Sequence, residues 1–391
     1  MTNPVLAALG RPFRLGIIGG APPSMIGPVH RLAAIMDQRF ELVAGVLSSR
    51  PERSRAEAVA AGLPEARCYG SIEELIAKEC ARDDGVEALA IITPNDSHAP
   101  YLNLALAAAL DVMIEKPLCN DLREAETLRE AAASSGCAVV VTHTYSGYPM
   151  VREMRARYLA GDIGTVRLVQ IEYLAGGLAT AVELGPDGDQ RWRLKPERSG
   201  PSLVLGDIGT HAHHLVSFVT GQPFESVSAD VGTIVPGRKV HDVAQVRFRL
   251  AGGARGHLEV SNAAAGMSNH IRLRVYGENG HMEWLHRKHN ELAIASLSGE
   301  VRIIASGQPM LTPDAQHSSR LMRPGHPEGL QEAVANLYCG LADMMLVRRG
   351  HPTSGAPRLV PTIDDGVAGL AFVMACLESS ARDGALVRLD R

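Results

Sequence analysis

The sequence predicts an α/β protein with a doubly wound parallel sheet in its N-terminal part and an α+β domain with a largely antiparallel sheet in its C-terminal part. Up to residue 142, short apolar runs alternate with helical patterns, which is typical of a parallel sheet covered by helices. Beyond residue 143, several runs alternate apolar with polar residues, which indicates antiparallel strands with one face in water. The 391 residues are enough for two domains, which we expect at 1–142 and 143–391.

Charge and cysteine usage exclude several classes of function. The formal net charge is −4 and no block of Lys and Arg stands out, so we expect no nucleic-acid partner. The six cysteines form no Cys-x-x-Cys pair, which argues against a disulfide framework and favours a reduced, cytoplasmic protein. The first ten residues lack a basic region, and no apolar run approaches the roughly 20 residues of a membrane span. We therefore expect no membrane association and a small-molecule substrate.

The first βα unit contains a glycine-rich turn. Residues 14–20 form an apolar run that ends in Gly19 and Gly20, and residues 29–36 have helical spacing. Glycines at such a turn let the backbone approach a pyrophosphate, and the helix N-terminus offers free N–H groups. Ala21 stands where a regular G-x-G-x-x-G motif has glycine. The turn predicts a dinucleotide site, with a plain βα turn as the alternative.

Further strands and helices continue the alternation and complete a Rossmann-like domain. A capping-box-like pair, Asp121 and Glu124, begins one of these helices. The predicted strands are 40–47, 88–92, 112–114 and 137–141, and the predicted helices are 51–61, 101–110 and the one that begins at Asp121.

The end of the second strand bears on the choice of cofactor. Ser49 and Arg50 stand where an NAD site usually has a carboxylate for the ribose 2′-hydroxyl. An arginine there can accommodate the 2′-phosphate of NADP. The residues alone are therefore compatible with both cofactors.

Two loops follow the later strands at the carboxyl edge of this sheet, where open α/β sheets bind their ligands. Thr93, Pro94 and Asn95 begin a turn, and His98 is predicted either to cap the next helix or to face the cofactor. Glu115 and Lys116 follow the strand 112–114, where partial burial lowers the pKa of an ammonium group. Lys116 is thus a candidate catalytic residue, with a solvated surface lysine as the alternative.

In the C-terminal part, Asp207 and His211 are four positions apart and would share one face of a helix. One interpretation is a carboxylate that orients a histidine general acid/base, since the histidine pKa of about 6.5 suits proton exchange at neutral pH. A second is structural, with Asp207 as a helix cap. A third is a metal site with His213 and His214, but His213 would point away and no His-Glu-x-x-His pattern exists, so we predict no metal. The predicted strands around this segment are 166–173, 243–250, 256–260 and 271–276.

Several motifs together resemble the Gfo/Idh/MocA oxidoreductase family, in order and in separation. A stretched glycine turn and two later segments are similar to the branch that contains inositol and levoglucosan dehydrogenases. The main departure from the family pattern is Ala21. The motifs are 93–98, 115–117, 206–211 and 275–280, and the segments similar to that branch are 323–329 and 362–366.

The resemblance implies a dehydrogenase that moves a hydride between C4 of a nicotinamide and a hydroxyl-bearing carbon of a sugar, anhydrosugar or cyclitol. By that resemblance Lys116, Asp207 and His211 match the catalytic set, and the C-terminal sheet forms the interface of a homo-oligomer, a dimer or tetramer. We assign His211 as the base and Lys116 as the cation, while Asp207 orients His211 and holds a neighbouring hydroxyl. Predicted cofactor contacts are Gly19, Gly20, Ala21, Ser49, Arg50, Thr93, Asn95, His98, Glu115 and Lys116, and predicted substrate contacts are Tyr145, Trp192 and Asp207.

NAD is the expected cofactor, with NADP also accepted, because the resemblance favours NAD. Two alternatives to a dehydrogenase stay open. One keeps the cofactor bound and uses transient oxidation to drive elimination or internal redox of a sugar. The other is a sensor that binds dinucleotide or sugar without catalysis, although a sensor has no need of the full Lys, Asp and His set.

Overall fold

The computed structural model describes residues 3–185, 191–353 and 359–389. The chain packs as two compact units that do not follow the predicted boundary between residues 142 and 143. The segment Leu330–Val367 belongs to the first unit, because its long helix packs against helices of that unit. The first unit comprises Met1–Cys119, Arg123–Gly147 and Leu330–Val367, and the second comprises Asn120–Leu122, Tyr148–Gly329 and Ala368–Arg391.

The first unit contains a parallel sheet with the strand order β2-β1-β3-β4-β5. Its strands β3 to β5 are buried along their whole length, as expected for apolar runs covered on both faces. The order reverses between β1 and β3, and ligands of open α/β sheets bind at such a point. The Rossmann-like fold prediction is confirmed. The strands are β1 (Phe13–Gly19), β2 (Phe40–Val46), β3 (Ala88–Ile92), β4 (Asp111–Ile114) and β5 (Val139–Val141).

The second unit contains a sheet of nine strands within the described residues, in the order β13-β12-β11-β10-β6-β9-β8-β7-β14. Only the β6–β9 pair is parallel, so the prediction of a largely antiparallel sheet is confirmed. Burial alternates along β8, as its sequence pattern predicts. The strands are β6 (Val166–Leu174), β7 (Phe224–Gly232), β8 (Val243–Leu250), β9 (Arg255–Ser261), β10 (His270–Gly277), β11 (Gly280–Leu285), β12 (Glu291–Ser296), β13 (Val301–Ala305) and β14 (Val387–Arg388).

Helices cover both sheets. In the described residues, no helix is long and apolar enough to cross a membrane. The helices are α1 (Pro4–Leu9), α2 (Ile26–Met36), α3 (Pro51–Ala60), α4 (Ile72–Glu79), α5 (His98–Ala107), α6 (Leu122–Ser135), α7 (Pro149–Leu159), α8 (Pro196–Ser199), α9 (Thr210–Thr220), α10 (Pro313–Ser318), α11 (Leu330–Arg348) and α12 (Ile363–Ala381).

Helix α11 completes the core of the first unit although it comes late in the chain. It packs against α2. The Tyr338 ring lies with its centroid 5.8 Å from that of Phe40, which in turn lies 5.8 Å from Phe13 at the start of β1. All three rings are buried, so α11 places aromatic surface directly against the first two strands.

Candidate functional site

The turn between β1 and α2 is built from glycines whose backbone no other residue could adopt without strain. Gly19 and Gly20 have φ angles of +87° and +78°. A Cβ on Gly19 would lie 2.7 Å from the Ile92 carbonyl oxygen, and one on Gly27 would lie 2.0 Å from the Gly20 carbonyl oxygen. Ala21 comes next and is partly exposed. The backbone of the turn is therefore not covered by side chains at the point where β1, α2 and β3 meet. A pyrophosphate needs such a close approach to the backbone.

Two arginines brace this turn, and the sequence analysis missed both. Arg31 Nη1 donates to the Gly20 carbonyl oxygen at 3.1 Å, and Arg53 Nη2 donates to the Pro22 carbonyl oxygen at 2.6 Å. Burial lowers the pKa of the Arg31 guanidinium. A signal for Arg31 was present in the sequence, because a residue four positions after Gly27 lies on the same face of α2, the face that meets the turn. Both cations lie at a turn that suits the phosphates of a dinucleotide.

The residues after β2 are exposed. Ser49 and Arg50 lie on the surface, and the Arg50 backbone N–H donates to Ser48 Oγ at 3.3 Å. Arg50 precedes α3 without a side-chain cap bond. No carboxylate occupies positions 48 to 50, as the sequence already indicated.

Thr93 follows β3 at the point where the strand order reverses. Its neighbour Ile92 pairs with Gly19, so Thr93 and the glycine turn share one edge of the sheet. Thr93 Oγ1 is buried without a hydrogen-bond partner among the described residues. Such an orphaned hydroxyl is costly unless a ligand satisfies it. Together with the glycine cradle, it fits a bound dinucleotide; Asn95, two positions on, is also buried.

The side chain of His98 corrects one alternative of the sequence analysis, the helix cap, whereas a contact of its ring with the cofactor stays a prediction. Its ring is fully buried, with Nδ1 2.7 Å from the Pro117 carbonyl oxygen and Nε2 2.9 Å from the Thr93 carbonyl oxygen. Burial lowers the pKa of His98, although the contacts with the two carbonyl groups act in the opposite direction and raise it. The side chain does not cap α5. It ties together the loops after β3 and β4.

Glu115 and Lys116 directly follow β4. The Glu115 carboxylate lies 3.0 Å from His30 Nε2 and accepts the Lys116 backbone N–H at 3.2 Å. Burial favours the neutral acid, but the hydrogen bond and charge of His30, with the charge of Lys116, leave the pKa of Glu115 below its usual value. Lys116 itself is partly buried. The Glu115 side chain thus faces α2, and a cofactor contact by Glu115 stays a prediction.

Tyr145 lies in the first unit, in the turn Thr144–Gly147 that follows β5. This turn packs on α11, where Asn336 Nδ2 donates to the Gly147 carbonyl oxygen at 2.8 Å. Tyr145 is only 6% exposed. Its predicted contact with substrate stays a prediction.

In the second unit, Asp207 lies in a π-helical turn, Leu205–Gly209, that runs directly into α9 and His211. Four positions are close to one turn in either helix type, so the two side chains lie near the same face. Asp207 is 26% exposed and His211 is 7% exposed. The N-cap of α9 is Gly209, so the structural interpretation of Asp207 as its cap was wrong. π-Helical turns occur frequently at functional sites.

The neighbouring histidines pack in the core. His213 stacks between Phe372 and Phe224, with ring centroids 4.8 and 4.5 Å away. Burial, with a smaller effect of His214, lowers the pKa of His213 to about 3, so the ring is neutral at physiological pH. Among the residues described, no group of three His, Cys, Asp or Glu side chains could hold a metal ion.

Trp192 is connected to Asp207 by Arg193, a residue that the sequence analysis did not single out. The Arg193 guanidinium lies 4.6 Å from the Trp192 ring centroid, and its Nε lies 3.8 Å from Asp207 Oδ1. The arginine is half exposed. The three side chains form a cluster, which we call the Trp192–Arg193–Asp207 cluster, with an aromatic face, a cation and a carboxylate next to His211.

A parallel sheet with a glycine turn, a threonine hydroxyl that has no partner among the described residues, and a lysine at its ligand-binding edge is typical of dinucleotide-binding proteins. Comparison with known families supports the same class. Residues 13–143 match the oxidoreductase family with an NAD-binding Rossmann fold, and residues 151–283 match the Gfo/Idh/MocA C-terminal domain. The chain belongs to the Gfo/Idh/MocA oxidoreductase family, which confirms the resemblance seen in its motifs.

Three relatives show its neighbourhood within the family. An uncharacterised oxidoreductase of Bacillus subtilis, YfiI, is 31% identical over 95% of both chains. The crystal structure of an inositol dehydrogenase homolog from Azotobacter vinelandii, complexed with NADH and myo-inositol, is 35% identical, covers 97% of this chain and 98% of its own, and has a TM-score of 0.90. Levoglucosan dehydrogenase of Pseudarthrobacter phenanthrenivorans is 26% identical over 74% of this chain and 77% of its own.

Proposed function

We propose that this oxidoreductase transfers a hydride between the nicotinamide of NAD and a hydroxyl-bearing carbon of a sugar, anhydrosugar or cyclitol. The observation that supports this most is the pair Asp207 and His211, about one helical turn apart. Arg193 connects Asp207 to the aromatic ring of Trp192. A carboxylate, a histidine and an aromatic face suit a neutral polyhydroxy ring better than an acyl or phosphoryl substrate. The relatives that bind myo-inositol or are named for levoglucosan favour the same substrate class.

The chemistry requires a base and a cation at the same substrate oxygen, because the carbon releases hydride only as its hydroxyl loses a proton. We assign the base to His211 and the cation to Lys116. Asp207 orients His211 and accepts a hydrogen bond from a neighbouring hydroxyl. Bound NAD supplies the hydride acceptor, and the glycine turn, Thr93 and Asn95 hold it.

Two arginines near the proposed position of the cofactor's adenosine are the reason why we propose that NADP is also accepted. Arg50 and Arg53 lie at the start of α3 together with Glu52, and no carboxylate occupies positions 48 to 50. We propose NAD as the working cofactor because the similar inositol dehydrogenase homolog was crystallised with NADH.

Two other functions are compatible with the same site residues. A protein that keeps its cofactor bound through transient oxidation would release no reduced nicotinamide with substrate. A non-catalytic sensor would bind dinucleotide or sugar without turnover, and Lys116, Asp207 and His211 together argue against it.

The test is a spectrophotometric screen of sugars, anhydrosugars and inositols with NAD and with NADP, following the absorbance of reduced nicotinamide. Lys116→Ala is the matched control for background reduction. Turnover of one polyol above that control supports the proposal and eliminates the sensor. Binding of a polyol with no release of reduced cofactor would replace the dehydrogenase with the retained-cofactor alternative.

The oligomeric state and cellular location are also proposals. We propose a homo-oligomer, a dimer or tetramer, formed through the nine-stranded sheet, and a cytoplasmic location. Sedimentation of the purified protein measures the first, and a monomer at micromolar concentration would contradict it.

A further inference from the structure

The side chain of His30 connects helix α2 to the segment that directly follows β4 and contains Lys116. Its Nε2 lies 3.0 Å from Glu115 Oε1, and its Nδ1 lies 2.8 Å from the Tyr338 hydroxyl on α11. His30 and Tyr338 are each 1% exposed, and all these residues belong to the first unit. We call these three residues the His30 relay.

The direction of the hydrogen bonds follows from the chemistry of the groups. An ionised carboxylate only accepts, so the proton lies on His30 Nε2. Nδ1 forms the second hydrogen bond with the Tyr338 hydroxyl, which donates to Nδ1 when the ring is neutral and accepts from it when the ring is charged. Burial, with a smaller effect of the Glu115 charge, raises the pKa of Tyr338, which keeps this hydroxyl protonated. Each member of the relay therefore fixes the orientation of the next.

The relay joins the two backbone segments that the proposed reaction depends on. His30 lies three positions after Gly27, which packs against the glycine turn. Glu115 directly precedes Lys116, and its second oxygen accepts the Lys116 backbone N–H. Three apolar side chains would fill the same space without a desolvation cost, so packing alone does not explain why these groups are polar.

We propose that His30 is a positioning residue for Lys116: held by Tyr338, it fixes the Glu115 carboxylate and through it the backbone and the negative charge next to the lysine. This rests on the proposed function in one respect, that Lys116 acts in the reaction. His30 and Tyr338 are not among the residues assigned to cofactor or substrate, and they act through Glu115, for which a cofactor contact is predicted.

The pH dependence of turnover reports on this arrangement. The groups that face Glu115 are His30 from α2, Lys116 from its own segment and His98 from α5, and the charge of Glu115 also acts on Tyr338 of α11. Without His30, Glu115 loses the hydrogen bond that opposes its burial, so its pKa rises. Glu115 then becomes neutral at a higher pH. The acid limb of the kcat profile should move to higher pH in the same variant.

The experiment compares His30→Gln, His30→Asn, His30→Leu and Tyr338→Phe in the full-length protein. Gln keeps an amide donor near the position of Nε2, whereas Asn reaches only the position of Nδ1. Cys339→Ala is the matched control, because Cys339 neighbours Tyr338 on α11 and its thiol is directed to Asp37 instead. The measurements are kcat as a function of pH, the dissociation constant for NAD and the melting temperature.

We expect His30→Leu and His30→Asn to lower kcat by about tenfold to a hundredfold, since a misplacement of ~1 Å can cost about a hundredfold. His30→Gln should restore most of kcat and of the acid limb, while Tyr338→Phe should give a smaller loss with the same shift. NAD affinity should change less than threefold in all of them, and Cys339→Ala should match the wild type.

Wild-type pH profiles in His30→Leu and Tyr338→Phe would overturn the inference. Equal losses of kcat in His30→Gln and His30→Leu would also overturn it, because turnover would then not depend on a hydrogen-bond donor to Glu115. If His30→Leu does not fold, Tyr338→Phe decides the matter, since it removes a single oxygen. Full activity of Lys116→Ala would instead contradict the proposed function, which keeps the two failures distinguishable.

Discussion

The candidate residues of the two units are held in different ways. In the first unit His98 binds two backbone carbonyl groups, and Glu115 binds His30 inside the core. In the second unit Asp207 and Trp192 are joined by a half-exposed arginine through one ring contact and one ion pair of 3.8 Å. Hydrogen bonds between buried groups fix geometry, whereas exposed ion pairs contribute little free energy.

This difference assigns separate tasks to the two units. A cofactor common to many reactions calls for a rigid sheet edge, and buried hydrogen bonds supply it. Under the proposed function the second unit recognises one polyol among many, a task that requires surroundings that can vary at low cost, and surface turns with stacked side chains supply those. The following predictions test this division, beginning with the largest expected effect.

Loss of either catalytic group should abolish most turnover. We expect Lys116→Ala and His211→Ala each to lower kcat by about a hundredfold or more, the scale of a lost electrostatic stabiliser or general base. NAD affinity in His211→Ala should equal that of the wild type. Stopped-flow kinetics and fluorescence titration measure both, and near-wild-type turnover in His211→Ala would remove that residue from the mechanism.

Loss of the loop connection in the first unit should reduce stability. His98→Leu removes the one N–H that a neutral ring donates to either the Thr93 or the Pro117 carbonyl group, and a buried group left unsatisfied costs about 1 to 3 kcal/mol. The free energy of unfolding should therefore fall by about 1 to 3 kcal/mol, with weaker NAD binding. Urea denaturation and NAD titration give the two values. Unchanged stability would show that the loops do not need this bond.

Cofactor choice should depend on the start of α3. If Arg50 contacts a 2′-phosphate, Arg50→Ala should weaken NADP by roughly 1.5 to 3 kcal/mol, the scale of a charged hydrogen bond, and leave NAD within a few tenths. Dissociation constants for both cofactors measure this. Equal losses for NAD and NADP would mean that Arg50 does not contact the 2′ position.

The smallest effect should come from the exposed cluster of the second unit. Arg193→Ala removes an ion pair of up to ~1 kcal/mol, so KM for the polyol should rise by no more than about fivefold while NAD affinity stays constant. Arg191→Ala, two positions earlier and exposed, is the control. A hundredfold fall in kcat in Arg193→Ala would contradict the division between a rigid and an adaptable unit.

Local pattern was sufficient for the strands of the parallel sheet and for the glycine turn after the first of them. The apolar runs predicted β3, β4 and β5, and the glycines 19 and 20 predicted a turn that the structure explains by positive φ angles. The π-helical turn before α9 has no marker in the sequence, since an α-helical and a π-helical start share the same residues. Four positions stay close to one turn in either helix type, so Asp207 and His211 lie near the same face, and a contact between them stays a prediction.

Long-range partners could not be predicted. Helix α11 begins more than 180 residues after the end of β5, yet it supplies Tyr338 to the His30 relay. For His98 the sequence left a helix cap and a cofactor contact open, and the cap was wrong, because both ring nitrogens lie within hydrogen-bond distance of backbone carbonyl groups. These contacts depend on which loops lie close together in the folded protein. The spacing of residues within a short stretch of sequence does not predict them.

The central claim is a direct hydride transfer between substrate carbon and nicotinamide, with release of the reduced cofactor. Its most direct test uses NAD and a cyclitol deuterated at every hydroxyl-bearing carbon, with NMR of the nicotinamide recovered after turnover. The account predicts one deuterium at C4 of each released NADH, together with a primary isotope effect on turnover in wild-type protein. Deuterium that returns to the sugar product, or NADH that contains none, would contradict it.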